Sequence, residues 1–200
     1  MKDSRGVADT SLRPEPDGAA DHLPGARMPP IRLPSTSGRS LRLDRVPPGF
    51  DRLVVYAYPM TGLPGVAPPE SWDDIPGARG CTAESCGFRD HAGELAERRA
   101  TVVGLSTQST PYQREMASRL GLSFPVLSDS KLRIADALGL PTFTVSLPSE
   151  YDGGGLRRLL KRLTLVVRDG AIEKVFYPVF PPEQHADEVL RYLKVTGPRE

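Results

Sequence analysis

Short apolar runs alternate with helical patterns along most of this chain. The run RLVVYAYP (residues 52–59) is nearly continuously apolar, which is typical of a strand buried on both faces, and TVVGLST (101–107) and FPVLSD (124–129) are similar. Helical patterns separate these runs, and such alternation predicts parallel strands joined by right-handed crossovers. The later segment RLTLVVRDGAIEKVFYP (162–178) predicts a hairpin around Asp169-Gly170, which adds antiparallel strands. The expected fold is therefore α/β, with a mixed central β-sheet and helices on both faces.

The predicted helices have recognisable ends. In TPYQREMASRLG (110–121), Thr110 is the expected N-cap, Pro111 the first helical residue and Gly121 the stop. The segment SKLRIADALG (130–139) is a short helix, and a final helix carries an apolar stripe from Ala186 to Leu193. Two further short strands are expected in GRSLRL (38–43) and LPTFTV (140–145).

Two segments of the chain lack a helix or strand pattern: the N-terminal residues and a long internal loop. Residues 1–27 are polar and rich in Pro, Gly and Asp, so we expect a mobile N-terminal tail followed by one domain over residues 28–200. Inside that domain, residues 60–80 contain four glycines and four prolines without any period. This stretch is longer than most loops in compact domains. It is either a binding loop or a tolerated surface insertion.

Charge and hydropathy limit the partners. The chain has 26 basic and 25 acidic residues, a net charge of +1, so no electrostatic feature predicts a nucleic acid or an anionic membrane as partner. No apolar stretch is long enough to span a bilayer, and the first residues lack the pattern of a signal peptide. The expected location is therefore the cytoplasm, where a close cysteine pair indicates redox chemistry or metal more often than a structural disulfide.

The only two cysteines, Cys81 and Cys86, lie in RGCTAESCGFRD (79–90). Phe88, Ala92, Leu95 and Ala96 continue this segment at helical spacing. Cys81 follows a glycine at the helix start, where free N–H groups and the helix dipole favour a thiolate, and Arg79 adds positive charge. We therefore expect Cys81 to be the attacking thiol and Cys86 its partner. Alternatively, either cysteine is a small buried hydrophobic residue.

Helix geometry limits what the two thiols can do. Five residues of α-helix separate the two Cα atoms by about 8.6 Å. A disulfide requires less than about 7 Å. The two cysteines can bond only if the first turn or more unwinds, and Gly87 weakens the helix there. A metal site is not expected, because the three histidines (His22, His91 and His185) do not complete a ligand set.

The segment GCTAESCGFRDHAGEL resembles the active-site segment of peroxiredoxins, specifically the peroxiredoxin Q or bacterioferritin comigratory protein group. The residues that match the group's pattern are Cys81, Thr82, Glu84, Cys86, Phe88, Arg89 and Asp90. The resemblance extends to RLVVYAYP, VVGLST, FPVLSD and KRLTLVVRDGAIEKVF, in the same order.

This resemblance implies a thioredoxin-like fold and an antioxidant thiol peroxidase of the thioredoxin-dependent class, acting on hydrogen peroxide and organic hydroperoxides. Cys81 would be the peroxidatic residue, which becomes a sulfenic acid, and Cys86 the resolving residue, which forms an intramolecular disulfide with it. Thioredoxin or a similar dithiol would reduce that disulfide. The resemblance also implies a monomer, with no cofactor and no metal.

An active-site arginine is implied by the match of Arg162-Leu163-Thr164 to the family's Arg-x-Thr. Arg162 would stabilise the thiolate and the polarised peroxide oxygen, and Glu84 would orient it. The neighbouring cations Arg157, Arg158 and Lys161 are rivals for the same role.

One position departs from the family pattern, in which a threonine lies three residues before the first cysteine. That position holds Ala78, which has no hydroxyl. Thr61, Ser71 and Thr82 are the alternatives for a replacement, Thr82 being a possible hydroxyl donor beside Cys81. The loop at 60–80, with Trp72 and its prolines, would shape an apolar entrance that favours organic hydroperoxides.

Two other functions stay open. One is a thiol-disulfide oxidoreductase on the same fold, although such sites use C-x-x-C, which the chain lacks. The other is a non-catalytic redox sensor whose helix unwinds on oxidation.

Overall fold

The computed structural model describes residues 12–197 and contains a central five-stranded sheet with helices on both faces. Residues 12–197 form nine strands: Arg32–Pro34 (β1), Ser40–Arg42 (β2), Arg52–Ala57 (β3), Ala100–Ser106 (β4), Val126–Ser128 (β5), Thr142–Leu147 (β6), Gly155–Leu160 (β7), Leu163–Arg168 (β8) and Ala171–Phe176 (β9). The strand order of the central sheet is β5-β4-β3-β8-β9. Strands β3, β4 and β5 are parallel to one another, and β8 pairs antiparallel with both β3 and β9. This arrangement confirms the predicted mixed α/β sheet.

In the part of the chain that the structure describes, five α-helices surround this sheet. They are Cys81–Asp90 (α1), Ala92–Glu97 (α2), Thr110–Leu120 (α3), Arg133–Leu138 (α4) and His185–Thr196 (α5). Two short 3-10 helices cover Trp72–Asp74 and Pro182–Gln184. In residues 12–197, none of the helices has the length and apolar character that crossing a membrane requires.

The two faces of β3 show why its sequence is continuously apolar. Val54 and Tyr56 belong to the core under α1, α2, α3 and α5, where Phe88 is fully buried. Leu53 and Val55 belong to the opposite core, which packs under α4. A strand covered on both faces has no solvent-facing position, so alternation disappears.

The predicted hairpin turn and the predicted end of α3 are confirmed. Asp169 and Gly170 both have positive φ at the β8–β9 turn, as an Asp-Gly hairpin requires. Gly121 ends α3 in the left-handed region. The predicted N-cap was one residue too late: Ser109, with extended backbone, is the N-cap of α3, and its hydroxyl accepts from the Tyr112 N–H.

The predicted tail over residues 1–27 also needs correction, although residues 1–11 lie outside the described part. Leu23 is fully buried in the core beside α4. The backbone of Gly25 and Ala26 exchanges hydrogen bonds with Ile172 of the edge strand β9 at 2.8 and 2.9 Å. This segment therefore covers a sheet edge and closes one core. Its polar composition gives no sign of this role.

A second small sheet pairs β6 with β7. The sequence predicted a strand at LPTFTV but missed β7. Val145 and Leu159 of this hairpin pack with Trp72, so the hairpin supports the loop at residues 60–80.

Candidate active site

Cys81 lies at the N-terminus of α1, in a nearly closed position. Its side chain is only 4% exposed. The preceding residue, Gly80, has φ +95°, and a Cβ at this position would overlap the ring of Pro182. The glycine before the cysteine is therefore required both by backbone conformation and by the close approach of the segment before α5.

Arg162 reaches Cys81 from the start of β8. Its Nη2 donates to Cys81 Sγ at 3.1 Å and to the Arg79 carbonyl at 2.8 Å. Its Nη1 pairs with Glu84 Oε2. The Arg162 residue is 3% exposed and Glu84 is fully buried, so Cys81, Glu84 and Arg162 meet in a largely dry cluster. The structure thus brings together these three residues.

The rival cations are engaged elsewhere. Arg157 donates to the carbonyls of Asp152 and Gly154, Arg158 pairs with Asp136, and Lys161 pairs with Asp17 at 2.7 Å.

Arg79, expected to add positive charge at Cys81, is also turned away. It forms an exposed ion pair with Asp73 of the 3-10 helix. Its backbone carbonyl, rather than its charge, contributes to the site by holding Arg162.

Burial and neighbouring charges have opposite effects on the pKa values of Cys81 and Glu84. Burial, the largest influence, raises the pKa of the Cys81 thiol above its usual value, whereas the Arg162 charge and the backbone N–H of Met60 lower it. Burial also raises the pKa of Glu84, against the charges of Arg162 and His185. A Cys81 thiolate in this site therefore depends on the arginine and on the backbone donor, because little water is available to solvate it.

Cys86 lies on the same helix and is half-buried. Both thiols are free, and α1 is helical without interruption from Cys81 to Asp90. The helical premise of the distance argument is therefore confirmed. With this geometry the two sulfurs cannot bond unless part of α1 unwinds.

A cavity of about 490 Å³ opens in front of Cys81. Its walls include Met60, Thr61, Val66, Trp72, Thr82 and Tyr151. The Tyr151 hydroxyl donates to the Ala67 carbonyl at 2.6 Å, which ties the long loop to the turn after β6. The loop at 60–80 is therefore part of this cavity rather than a remote insertion.

The three candidate hydroxyls differ in placement. Thr61 is 2% exposed and lines the cavity with Cys81. Thr82 also lines the cavity but is exposed, and Ser71 is exposed on the outer side of the loop.

Two groups near the thiol were missed by the sequence reasoning: the Met60 N–H and the side chain of Gln108. A backbone donor leaves no trace in residue type. Gln108 had a usable signal, because it follows the carboxyl end of β4, next to the carboxyl end of β3, where α/β sheets place their ligands.

No group of three or more His, Cys, Asp or Glu within residues 12–197 is arranged to hold a metal ion. The contact of Arg162 with Cys81 supports the chemistry of a cysteine nucleophile with a cationic hydrogen-bond donor.

Comparison with known proteins finds a matching family, similar sequences and a similar crystal structure. The Redoxin family matches residues 23–190. The chloroplastic peroxiredoxin Q of Sedum lineare is 29% identical over 171 residues, covering 85% of this chain and 77% of that protein. Peroxiredoxin Bcp of Escherichia coli K12 is also 29% identical, covering 85% and 94%. The crystal structure of peroxidoxin BcpB from Mycobacterium tuberculosis superimposes with a TM-score of 0.64 at 29% identity, covering 86% and 97%.

Proposed function

Because this chain belongs to the Redoxin family, and within it to the peroxiredoxins of the Q and Bcp group, it is a thiol peroxidase, and we propose that Cys81 is its peroxidatic residue. The observation that carries this assignment is the 3.1 Å hydrogen bond from Arg162 Nη2 to Cys81 Sγ in a buried site at a helix N-terminus. Of the two cysteines, Cys81 is the buried one and lies at the helix N-terminus, whereas Cys86 lies further along the helix.

In the first step, the Cys81 thiolate attacks the terminal, hydrogen-bearing oxygen of a peroxide. An S–O bond forms, the O–O bond breaks, and the leaving oxygen takes up a proton and departs as water or an alcohol. The sulfur is oxidised to a sulfenic acid and the peroxide is reduced by two electrons. Arg162 stabilises the thiolate beforehand and the negative charge on the peroxide oxygens during the step. Glu84 holds the guanidinium from its other side.

In the second step, the Cys86 thiol loses its proton and attacks the sulfenic sulfur. The S–S bond of the Cys81–Cys86 disulfide forms, the S–O bond breaks, and the leaving hydroxide takes up a proton and departs as water. The helical position of both residues requires α1 to open first. A thioredoxin-type dithiol then reduces the disulfide and is itself oxidised. The cytoplasm is the proposed compartment, because a dithiol pool there keeps such thiols reduced.

The buried position of Cys81 disfavours thiol-disulfide exchange as the main activity. An S–S bond of a protein substrate would have to approach a sulfur that is 4% exposed, whereas a small peroxide can enter the cavity. The apolar walls at Val66 and Trp72 support organic hydroperoxides as substrates alongside hydrogen peroxide.

Thr61 is the proposed replacement for the hydroxyl missing at Ala78. It is the buried one of the three candidates, and it lines the same cavity as Cys81. Thr82 is exposed, so its hydroxyl is less firmly held in place.

The test is intact mass after one equivalent of hydrogen peroxide, with a sulfenic-acid trap present. We expect wild type to lose the mass of two hydrogens, Cys86→Ser to carry the trap, and Cys81→Ser to stay unmodified. Equal reaction of Cys81→Ser and wild type would overturn the assignment of Cys81. Stoichiometric oxidation without turnover in the presence of a dithiol reductant would instead favour a redox sensor.

A further inference from the structure

A buried glutamine outside the proposed catalytic set contacts the wall of the cavity. Gln108 is 4% exposed and follows the end of β4. Its Oε1 accepts from the Thr61 N–H at 2.9 Å and from Thr61 Oγ1 at 3.3 Å, and its Nε2 donates to the Thr61 carbonyl at 3.0 Å. One carboxamide thus satisfies both backbone groups of Thr61 and its hydroxyl proton. We refer to these three hydrogen bonds as the amide bridge.

Gln108 is itself fixed to the central sheet. Its N–H donates to Ser106 Oγ at 3.1 Å, and its carbonyl accepts from Ser128 Oγ at 2.6 Å. Ser106 ends β4 and Ser128 ends β5. The amide bridge therefore connects an otherwise irregular loop to two strands of the sheet.

The residue before Thr61 lies beside the reacting cysteine. Met60 lines the same cavity as Cys81, and its backbone N–H lowers the pKa of the Cys81 thiol. This N–H lies one Cα before the peptide plane that carries the Thr61 N–H, so a fixed Thr61 backbone leaves only the φ and ψ of Met60 to move it. Because the Thr61 hydroxyl donates its proton to Gln108, its oxygen lone pairs remain to accept the O–H of a bound peroxide.

We propose that Gln108 is a positioning residue for the peroxidase reaction: its amide bridge holds the Thr61 hydroxyl at the cavity wall and the Met60 backbone beside Cys81. This inference rests on the proposed role of Cys81. Gln108 thereby fixes Thr61, whose hydroxyl takes the place of the one that a threonine at position 78 would supply.

The test compares two buried glutamines. Gln108→Met keeps the side-chain length and removes the amide, and Gln108→Asn keeps the amide but shortens its reach. The matched control is Gln113→Met. Gln113 is fully buried on α3 and donates to Ser106 Oγ at 3.1 Å and to the Leu127 carbonyl at 3.0 Å, and within residues 12–197 it forms no hydrogen bond with Thr61.

Three quantities are measured: kcat/KM with hydrogen peroxide, the pH profile of Cys81 alkylation, and Tm. Both Gln108 variants should lose about 10²-fold in kcat/KM, the usual effect of misplacing a reacting group by about 1 Å. Their alkylation profiles should move to higher pH, because the Met60 donor is no longer held. Gln113→Met should lower Tm while leaving kcat/KM within about threefold of wild type and the profile unmoved.

Several outcomes would overturn the proposal. These are a Gln108 variant with kcat/KM within about threefold of wild type, an unmoved alkylation profile in either Gln108 variant, or an equal loss in Gln113→Met. Failure of Gln108→Met to fold leaves Gln108→Asn to decide. Absence of peroxide turnover in wild type would contradict the proposed function itself, which is a separate result.

Discussion

Replacing Arg162 with methionine separates the electrostatic role of this residue from its structural role. The Arg162 and Glu84 side chains are 2% and 0% exposed, so Arg162→Met leaves a carboxyl group buried without its cation. Breaking one side of such a pair costs about 3–5 kcal/mol in the free energy of unfolding. For a domain of this size the loss corresponds to a decrease in Tm of about 6–20 °C.

The loss should depend on pH with a defined sign. Burial already raises the pKa of Glu84 in the wild-type protein, and removing Arg162 removes an opposing influence. A carboxyl with a raised pKa in the folded state binds its proton more tightly there than in the unfolded state. Its effect on stability therefore worsens as pH rises from the unfolded pKa through the folded pKa. Arg162→Met should be less destabilised at about pH 5 than at about pH 8.

The assay is thermal and urea unfolding at both pH values, with a reductant present to keep Cys81 and Cys86 as thiols, beside kcat/KM for hydrogen peroxide. The matched variant is Glu84→Gln/Arg162→Met, which removes both charges. We expect it to regain most of the stability at about pH 8. We expect neither variant to regain activity, because loss of a charged donor at the reacting atoms costs about 10²–10³-fold or more.

Two results would refute this reasoning. If the double variant is as unstable as Arg162→Met, the loss does not come from an uncompensated carboxyl group. If Arg162→Met retains kcat/KM within about threefold of wild type, the 3.1 Å contact with Cys81 has no role in peroxide reduction.

Two further predictions concern the N-terminal segment and the helix that carries both cysteines. Leu23→Ala should lower the free energy of unfolding, measured by urea denaturation, by about 2–5 kcal/mol, because it opens a cavity in a closed core. The control is Leu12→Ala, at a residue 49% exposed, which should change the free energy of unfolding by less than about 0.5 kcal/mol. Equal effects of the two substitutions would contradict the burial of Leu23. After oxidation by peroxide, hydrogen exchange at the first turn of α1 should accelerate at least about tenfold. A suitable probe is the Glu84 N–H, which donates to the Gly80 carbonyl at 2.9 Å. Strand β4 should stay protected, and Cys86→Ser should show no such acceleration. Full protection of α1 in a protein whose disulfide has formed would exclude the opening step.

Features that depend on neighbouring residues were predictable from the sequence. The Asp169-Gly170 turn, the end of α3 at Gly121 and the start of α1 at Cys81 follow from conformational preferences that act within a few residues. The N-cap of α3 was misplaced by one residue because Ser109 and Thr110 are both good caps, and only the backbone geometry distinguishes them.

Features that depend on distant residues were not predictable in the same way. The burial of Leu23 requires the edge of β9, almost 150 positions away along the chain, and a segment rich in Pro, Gly and Asp carries no sign of that edge. The choice of Arg162 over its three cationic neighbours depended on the partners of each side chain, since all four have similar chemistry in the sequence.

By itself, the sequence determined the alternation of strands and helices, the thiol at a helix start and the matching segment around Cys81 and Cys86, because these are written in residue type and spacing. Only the tertiary structure decided that Arg162 donates to the Cys81 sulfur, that the Met60 backbone lies beside Cys81 and that Gln108 holds this loop. The physical reason is that hydrogen bonds act over about 3 Å in space, whatever the separation along the chain. Backbone donors also belong to every residue except proline, so no sequence pattern marks the ones that a fold places at its reacting atom.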